Sequence, residues 1–197
     1  MGLLEDIELY LEYFYGREDY LACQTPDNYY PSQKSLETSV IKLHLKGCLS
    51  VGIYVLNSDN LCSFICIDID ESPIELTSTN RVFKIEKLQN KILETVQVLN
   101  FLGISSESIL IEDTGGRGFH IWIFFEDLVL ASKAVKLCNI IQRNLSFDCK
   151  FFPREATLTG RKLGTPIKLP LGRHKKYDRE SSFCKIINNK ITIIDNY

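Results

Sequence analysis

The sequence lacks the features that would place the protein in a membrane or route it out of the cell. No apolar run approaches the ~20 residues that a helix needs to span a bilayer. The opening residues, MGLLED, carry acids instead of the basic start of a signal peptide, and Asp6 stands where N-myristoylation requires Ser or Thr. We therefore expect no membrane partner.

The cysteines lack the spacing of a disulfide framework or a zinc clamp. There are seven of them, an odd number, without a paired CxxC set. Cys62 and Cys66 are the nearest pair, but on a strand they would lie well apart along one face, which suits tetrahedral zinc poorly. We expect buried reduced thiols and a reducing, cytoplasmic location.

Excess charge is also missing, because the formal net charge is only −2. That balance hides a local basic stretch: residues 150–180 hold nine Lys and Arg against three Asp and Glu, and the rest of the chain holds fourteen against twenty-two. A basic stretch on an acidic chain predicts a defined polyanion site instead of general adhesion to polyanions.

Hydrophobic periodicity predicts an α+β protein that forms one domain over residues 1–197, or two closely packed lobes. Predicted helices span 3–15, Ser35 or Thr38 to Leu45, 78–100 and 131–144. Predicted strands span 49–55, 62–70, 108–112 and 118–125, with the turn NSDN joining the first two into a hairpin. Residues 24–35 read as a polar loop, and 150–197 as short strands and loops.

Asp68 and Asp70 are the most informative residues of the chain. They end the apolar run SFICIDID, and since side chains alternate along a strand, they share one face while Ile65, Ile67 and Ile69 take the other. Two carboxylates at the end of a buried strand repel each other and lose hydration, which a divalent cation would offset. The alternative is a strand that runs out into solvent, where the acids begin a loop.

The segment DTGGRGFHIWIFF, residues 113–125, combines a glycine-rich turn that contains an arginine with a histidine on the strand that follows. Its three glycines permit positive φ and close approach of backbone amides to an anion. Arg117 suits bidentate phosphate contacts, and His120 shares a strand face with Trp122 and Phe124. The alternative is a plain hairpin with Arg117 in water and His120 in the core.

The segment PIKLPLGRHKK, residues 166–176, is basic and proline-bracketed. Its two prolines exclude a helix and predict an edge strand or extended segment around Lys168. Lys168 lies between apolar residues, so we expect it to point into a site or toward a partner, whereas a solvated loop is the simpler reading of Lys175 and Lys176. Glu155, in FFPREATL, reads by itself as a surface acid of a loop.

In chain order, these segments resemble the archaeo-eukaryotic primase superfamily. Its pattern is acid-x-acid on a strand, a small-residue turn that ends in a strand histidine, and a third acid before a basic phosphate-contacting segment. The matching positions are Asp68 and Asp70, Thr114 to His120, Glu155, and Lys168 to His174. YGRED, VGIY, GRGFHIWIFFE, FFPRE and IKLPLGRHKK, within residues 15–176, most resemble the primase-like domains of TOTE conflict systems and CRISPR-associated primase-polymerases.

The sequence departs from the family pattern at two positions. Gly116 stands where replicative primases have a second Arg, and Glu155 stands where the TOTE-like domains often carry Gln. The zinc-binding insertion of replicative primases is not recognisable.

The resemblance implies a primase-polymerase catalytic core, in which an RRM-like sheet module packs with an N-terminal α/β module. It implies two Mg²⁺ or Mn²⁺ ions on Asp68, Asp70 and Glu155, and DNA-dependent nucleotidyl transfer from NTPs or dNTPs. The implied nucleotide-binding residues are Thr114, Arg117, His120, Lys168 and His174. Contacts with single-stranded template and primer, through phosphate pairing and base stacking, are expected from Arg17, Tyr29, Tyr30, Arg173, Lys175 and Lys176.

Relatives of this kind act with a helicase, an accessory primase domain or CRISPR adaptation proteins, which are therefore candidate partners. Two alternatives stay open at this point. A metal-dependent nuclease would use the same acids and degrade DNA without nucleotide. A non-catalytic domain would only bind nucleotide or nucleic acid.

Overall fold

The computed structural model describes residues 3–70, 80–160 and 162–194, and within them the side chains of 7–70, 85–160 and 162–194. The helices are α1 (Leu3–Tyr13), α2 (Thr38–Leu45), α3 (Asn80–Phe101) and α4 (Ala131–Asn144), with a 3₁₀ turn at Ser106–Ser108. The strands are β1 (Leu21–Gln24), β2 (Tyr29–Ser32), β3 (Val51–Tyr54), β4 (Leu61–Asp70), β5 (Ile109–Asp113), β6 (Gly118–Leu130), β7 (Lys150–Phe152), β8 (Pro166–Lys168), β9 (Arg173–His174), β10 (Arg179–Glu180), β11 (Ser182–Ile187) and β12 (Lys190–Ile193). The predicted helix start at Ser78 falls outside the described residues.

The larger sheet is antiparallel, with six strands in the order β12-β11-β5-β6-β4-β7. Helices α3 and α4 pack against it. Ile65, Ile67 and Ile69 are fully buried on one face of β4, and Asp68 lies on the other face, opposite His120 of β6. The predicted alternation along this strand, and the mixed helix and sheet class, are therefore confirmed.

The smaller sheet has the order β2-β1-β3-β8, and β9 and β10 form a separate two-stranded ladder. Phe14, which follows α1, packs edge-on against Trp122 with ring centroids 5.1 Å apart. Because Trp122 shares the β6 face of His120, the N-terminal part lies over the side of the larger sheet that carries Asp68. The edge position predicted for the proline-bracketed strand is confirmed, since β8 ends the smaller sheet.

The predicted hairpin between the first two strands is wrong. Strand β3 pairs with β1 and β8, whereas β4 pairs with β6 and β7. The turn itself is present, because the side chain of Asn57 accepts hydrogen bonds from the amides of Asp59 and Leu61. A local turn signal establishes where the chain reverses, but it cannot specify which strands then pair.

Two boundaries also differ from the sequence prediction. The segment read as a polar loop contains β2, which pairs with β1 in a hairpin, and β6 continues to Leu130, past the predicted end at 125. All seven cysteines are free, and five of them are buried, as predicted. Within the described residues, no helix combines the length and apolarity that crossing a membrane requires.

Candidate functional site

A cleft of about 410 Å³ opens between the two sheets. Both aspartates of β4, the turn before β6, the end of β8 and the β1–β2 hairpin contribute side chains to it. Of the residues predicted from sequence, the cleft is lined by Tyr29, Asp68, Asp70, Thr114, Arg117, His120, Lys168, His174 and Lys176. Segments that are distant in the chain, such as those of Gln24 and His174, which are 150 residues apart, therefore meet at one site.

Asp68 and Asp70 end β4 beside the edge strand β7, where Lys150 is the register partner of Asp68. The Lys150 ammonium lies 3.2 Å from Oδ2 of Asp68 and 2.9 Å from Oδ2 of Asp70. The Arg117 guanidinium contacts the same oxygen of Asp70 at 3.2 Å. One cation thus bridges both carboxylates, so their oxygens converge on a point that a single positive ion can reach.

The ionisation of these groups reflects their partial burial. Burial raises the pKa of the Asp68 carboxyl, and the charge of Asp70 adds to the rise, whereas His120 and Lys150 oppose it. Burial also disfavours the charge on Lys150, but its hydrogen bond to Asp70 and the charge of Asp68 outweigh this and raise the pKa of the ammonium. The positive charge of Lys150 therefore favours the ionised form of Asp68 against its burial.

The two carboxylates fit a divalent ion. They offer hard oxygen donors around a point that a cation already occupies, and such donors suit Mg²⁺ or Mn²⁺. Mg²⁺ is commonly held by one or two protein carboxylates, with the other positions filled by water and substrate phosphates. Over residues 3–70, 80–160 and 162–194, no group of three or more His, Cys, Asp and Glu side chains has an arrangement that would hold a metal.

Glu155, the predicted third ligand, is held elsewhere. Its carboxylate accepts hydrogen bonds from the hydroxyl of Thr165 at 2.6 Å and from the amide of Thr165 at 3.3 Å. It is not among the residues that line the cleft. The structure does not bring Glu155 to the two aspartates, so its role in the metal site stays a prediction without support from this geometry.

The glycine turn does not present its amides as the sequence suggested. The amide of Gly115 donates to Oδ1 of Asp113 at 2.9 Å, and the amide of Gly116 donates to Oγ1 of Thr114 at 3.2 Å. Only Gly115 has positive φ, at 70°. Gly116 is required for a different reason, because a Cβ there would lie 2.9 Å from Cδ2 of His174. The turn therefore packs against His174 and leaves no room for the Arg that replicative primases have at this position.

His174 lies at the centre of a second group of contacts. Its Nε2 is 3.5 Å from Nε2 of Gln24, which also donates to the Tyr29 hydroxyl at 2.8 Å. Oε1 of Gln24 accepts from the amide of Lys175 at 3.0 Å, so Gln24 joins the β1–β2 hairpin to the basic segment. Burial and the charge of Lys168 lower the pKa of His174 to about 4. In the free protein at pH 7, His174 therefore supplies hydrogen bonds and not charge.

Helices α1 and α2 hold the basic segment from behind. The Tyr10 hydroxyl donates to the carbonyl of Pro170 at 2.8 Å. The fully buried His44 accepts from the amide of Val51 through Nδ1 at 3.1 Å, and its Nε2 donates to the carbonyls of Leu169 and Pro170 at 3.2 and 3.0 Å. These contacts fix the backbone that carries Lys168 and His174.

Sequence reasoning missed several residues of the site, and three of them bond directly to predicted site residues. Glu112 of β5 is fully buried between His120, Trp122 and Lys168. Lys150 bridges the aspartates, and Gln24 joins the hairpin to the basic segment. The only sequence signals are their positions: Glu112 directly precedes the glycine-rich segment, and Lys150 directly precedes the FFPRE phrase.

Four predicted DNA-contacting residues lie outside the lining of the cleft. Arg17 pairs with Asp19 at 2.6 Å, and Arg173 pairs with Asp178 at 2.6 Å. Lys175 donates to the carbonyl of Gly47, just past the end of α2, at 2.8 Å. Tyr30 is exposed on β2. Only Tyr29 and Lys176 of that predicted set are brought to the cleft.

Comparisons with known proteins show the family of the chain and a likeness of fold. A family model described as the archaeo-eukaryotic primase domain of the TOTE conflict system matches residues 23–196. Among solved structures, the AEP domain of the cyanophage S-2L primase-polymerase is similar, with a TM-score of 0.50 over 91% of this chain and 88% of that one. The two chains share 15% sequence identity, so this likeness concerns the fold alone. No curated protein matches the chain significantly.

Proposed function

Since the chain belongs to the family of TOTE conflict system archaeo-eukaryotic primase domains, we propose that it is a DNA-dependent nucleotidyltransferase that makes or extends primers on single-stranded DNA. The observation that carries this proposal is the cleft, in which two converging carboxylates face Arg117, His120 and Lys168. Nucleotidyl transfer requires carboxylates that bind divalent cations and basic side chains that bind a triphosphate, and this cleft of about 410 Å³ contains both.

In this reaction the 3′-hydroxyl of the primer, or of a first nucleotide, loses its proton to water, and its oxygen attacks the α-phosphorus of an NTP or dNTP. The bond from that phosphorus to the bridging oxygen breaks, and pyrophosphate leaves with the charge. Mg²⁺ or Mn²⁺, held by Asp68 and Asp70 when bound, would supply activation of the attacking hydroxyl and neutralisation of the triphosphate. Lys150 and Arg117, which contact these aspartates in the structure, would then be available to the incoming phosphates.

The cleft's own residues would orient the substrate. Arg117 and Lys168 offer charge to the phosphates, and Arg117 can make paired contacts. His120 presents the ring nitrogen that Glu112 does not hold. Thr114 and His174 would add hydrogen bonds. We retain Tyr29 and Lys176 as proposed template contacts, through base stacking and phosphate pairing respectively, because both line the cleft.

The other proposed DNA contacts, at Arg17, Tyr30, Arg173 and Lys175, rest on the sequence resemblance alone. The same is true of a helicase, an accessory primase domain or CRISPR adaptation proteins as partners. The match to a conflict-system family favours a setting in which this domain acts beside other domains of such a system.

A second candidate is a domain that binds nucleotide without joining it. It is favoured by one observation: Glu155 is hydrogen-bonded to Thr165, and the described residues offer two carboxylates to a metal where the family pattern has three acids. Binding alone needs only the basic part of the cleft, whereas transfer also needs the metal half.

The deciding experiment is primer synthesis on single-stranded DNA with Mg²⁺ or Mn²⁺ and all NTPs or dNTPs. We expect Asp68→Ala/Asp70→Ala to reduce product by at least ~1000-fold, since it removes the charge that would hold the cations. The matched control is Asp59→Ala/Asp127→Ala, which also removes two carboxylates but at exposed positions away from the cleft.

Four outcomes separate the candidate functions. Product that depends on Asp68 and Asp70 supports the transferase. Nucleotide binding without product supports the binding domain, and unchanged product in the Asp68→Ala/Asp70→Ala variant refutes the assigned site. Degradation of DNA in the absence of nucleotide would identify a nuclease instead.

A further inference from the structure

We infer that Glu112 is the positioning residue of this cleft: it sets the orientation of the His120 ring and holds Lys168 against it. The inference rests on the proposed function, because it assigns how two proposed triphosphate contacts are aligned. Glu112 belongs to none of the sequence motifs and does not line the cleft itself. It acts through the residues that it holds.

The two oxygens of the Glu112 carboxylate have separate tasks. Oε2 accepts from Nδ1 of His120 at 3.0 Å and from Nε1 of Trp122 at 3.0 Å. Oε1 accepts from Nζ of Lys168 at 3.3 Å. His120 and Trp122 donate from β6 and Lys168 donates from β8, and Glu112 is fully buried. A carboxylate is the side chain that can accept from all of these donors at once.

Strand register places Glu112 next to the metal half of the site. Asp68 of β4 is opposite His120 of β6, and His120 is opposite Glu112 of β5. Directly opposite residues of antiparallel strands point to the same side, so these three form one row across the sheet. Lys168 comes from β8 of the smaller sheet, and its contact with Glu112 therefore joins the two sheets at the floor of the cleft.

The carboxylate of Glu112 is ionised at neutral pH despite its burial. Burial alone would raise its pKa, but the charge of Lys168 and the interaction with His120 outweigh that effect and lower the pKa to about 2. A buried ion pair adds little stability compared with well-packed apolar residues. Its presence beside a substrate cleft is better accounted for by the geometry that it imposes.

The consequence for His120 is a defined tautomer. Nδ1–H donates to Glu112, which leaves Nε2 as the ring nitrogen available to the cleft. The consequence for Lys168 is a defined position, because its ammonium also donates to the carbonyl of Leu169 at 2.8 Å. Both residues are thus preorganised before a nucleotide binds, and preorganisation reduces the ordering that binding requires.

Nitrogen-15 NMR of the three histidines tests the first consequence. His120 should give the Nδ1–H pattern, and His44, whose Nδ1 accepts from an amide, should give the opposite Nε2–H pattern in the same spectrum. In Glu112→Leu the His120 signal should move to mostly Nε2–H while that of His44 stays. Retention of the Nδ1–H pattern in folded Glu112→Leu would overturn the inference.

Triphosphate affinity tests the second consequence and uses a variant that keeps the shape. In Glu112→Gln the amide oxygen still accepts from His120, but the amide nitrogen faces Lys168, so we expect about tenfold weaker calorimetric binding of NTPs and dNTPs. The loss should vanish in a Lys168→Met background, where Glu112→Gln should change affinity less than twofold. Equal losses in both backgrounds, or no loss in either, would contradict positioning through Lys168.

Failure of the transferase proposal and failure of the assignment of Glu112 would give different experimental results. If the protein makes no primers but binds triphosphates with the expected tautomer and coupling, the transferase proposal fails and the assignment of Glu112 holds. If primers are made and Glu112→Leu keeps both tautomer and affinity, the assignment of Glu112 fails and the transferase proposal holds.

Discussion

Acid should weaken this protein through His44, the fully buried histidine that holds the basic segment in place. Its imidazole accepts from the amide of Val51 and donates to two carbonyls, which uses both nitrogens in the neutral form. Burial, and the charge of Lys168, lower the pKa of His44 from 6.5 to about 4. Gly172 packs directly under the ring, where a Cβ would lie 2.0 Å from Cε1, so there is no room for a solvating water on that side.

The sign and size of this effect on the free energy of unfolding follow from proton linkage. Between pH 6.5 and pH 4 the unfolded chain binds a proton at this site and the folded chain does not, so the free energy of unfolding falls as the pH falls. The full effect of a shift from 6.5 to about 4 is ~3.4 kcal/mol below pH 4, of which ~2 kcal/mol is already lost at pH 5. Above about pH 7.5 this histidine contributes almost no pH dependence.

Urea unfolding of wild type and His44→Gln at pH 7, 6 and 5 measures this directly. The variant is expected to be less stable at pH 7, because it loses packing and one hydrogen bond, but its stability should fall by ~2 kcal/mol less between pH 7 and pH 5. His174, whose pKa is also lowered to about 4, is present in both proteins and cancels in the comparison. Identical pH slopes for the two proteins would refute the reasoning.

Three further predictions concern the cleft and the basic segment beside it. Gly116→Ala should lower the free energy of unfolding by about 1–3 kcal/mol in urea, because its Cβ crowds His174; an unshifted His174 NMR signal at full stability would contradict this. Lys150→Met should increase the affinity for Mn²⁺, measured by calorimetry, on the order of tenfold, because it removes one positive charge ~5 Å from the divalent ion. Lys176→Met leaves the contacts of the aspartates intact and should not increase this affinity. Lys175→Met should lower the free energy of unfolding by about 1 kcal/mol, because it removes a hydrogen-bond donor from the end of α2. It should weaken binding to single-stranded DNA less than Lys176→Met does. A larger loss of DNA affinity in Lys175→Met than in Lys176→Met would support Lys175 as a DNA contact.

Much of the fold could be predicted from the sequence because its signals are local. The period of two along SFICIDID placed Asp68 and Asp70 on one face and the isoleucines on the other, and the structure agrees. The prolines around Lys168 excluded a helix and an interior strand, and β8 is indeed at the sheet edge. The partners of each strand were not predictable in this way, since pairing joins segments that are distant in the chain, and the expected β3–β4 hairpin was wrong.

In the candidate site, too, some features could be predicted from the sequence and others depend on tertiary structure. The sequence by itself identified the side chains that we propose carry the chemistry: two acids two positions apart on a strand, a histidine after a glycine turn, and a lysine in an apolar, proline-bracketed strand. Tertiary structure alone decided how they are held. Glu112 owes the contacts behind its proposed role to cross-strand register and to a lysine of the other sheet, and Lys150 owes its contacts with the aspartates to pairing at the sheet edge. Glu155 is hydrogen-bonded to Thr165 because the fold places them together. Side-chain type and alternation are local properties, whereas ionic partners and metal geometry depend on contacts between segments far apart in the chain.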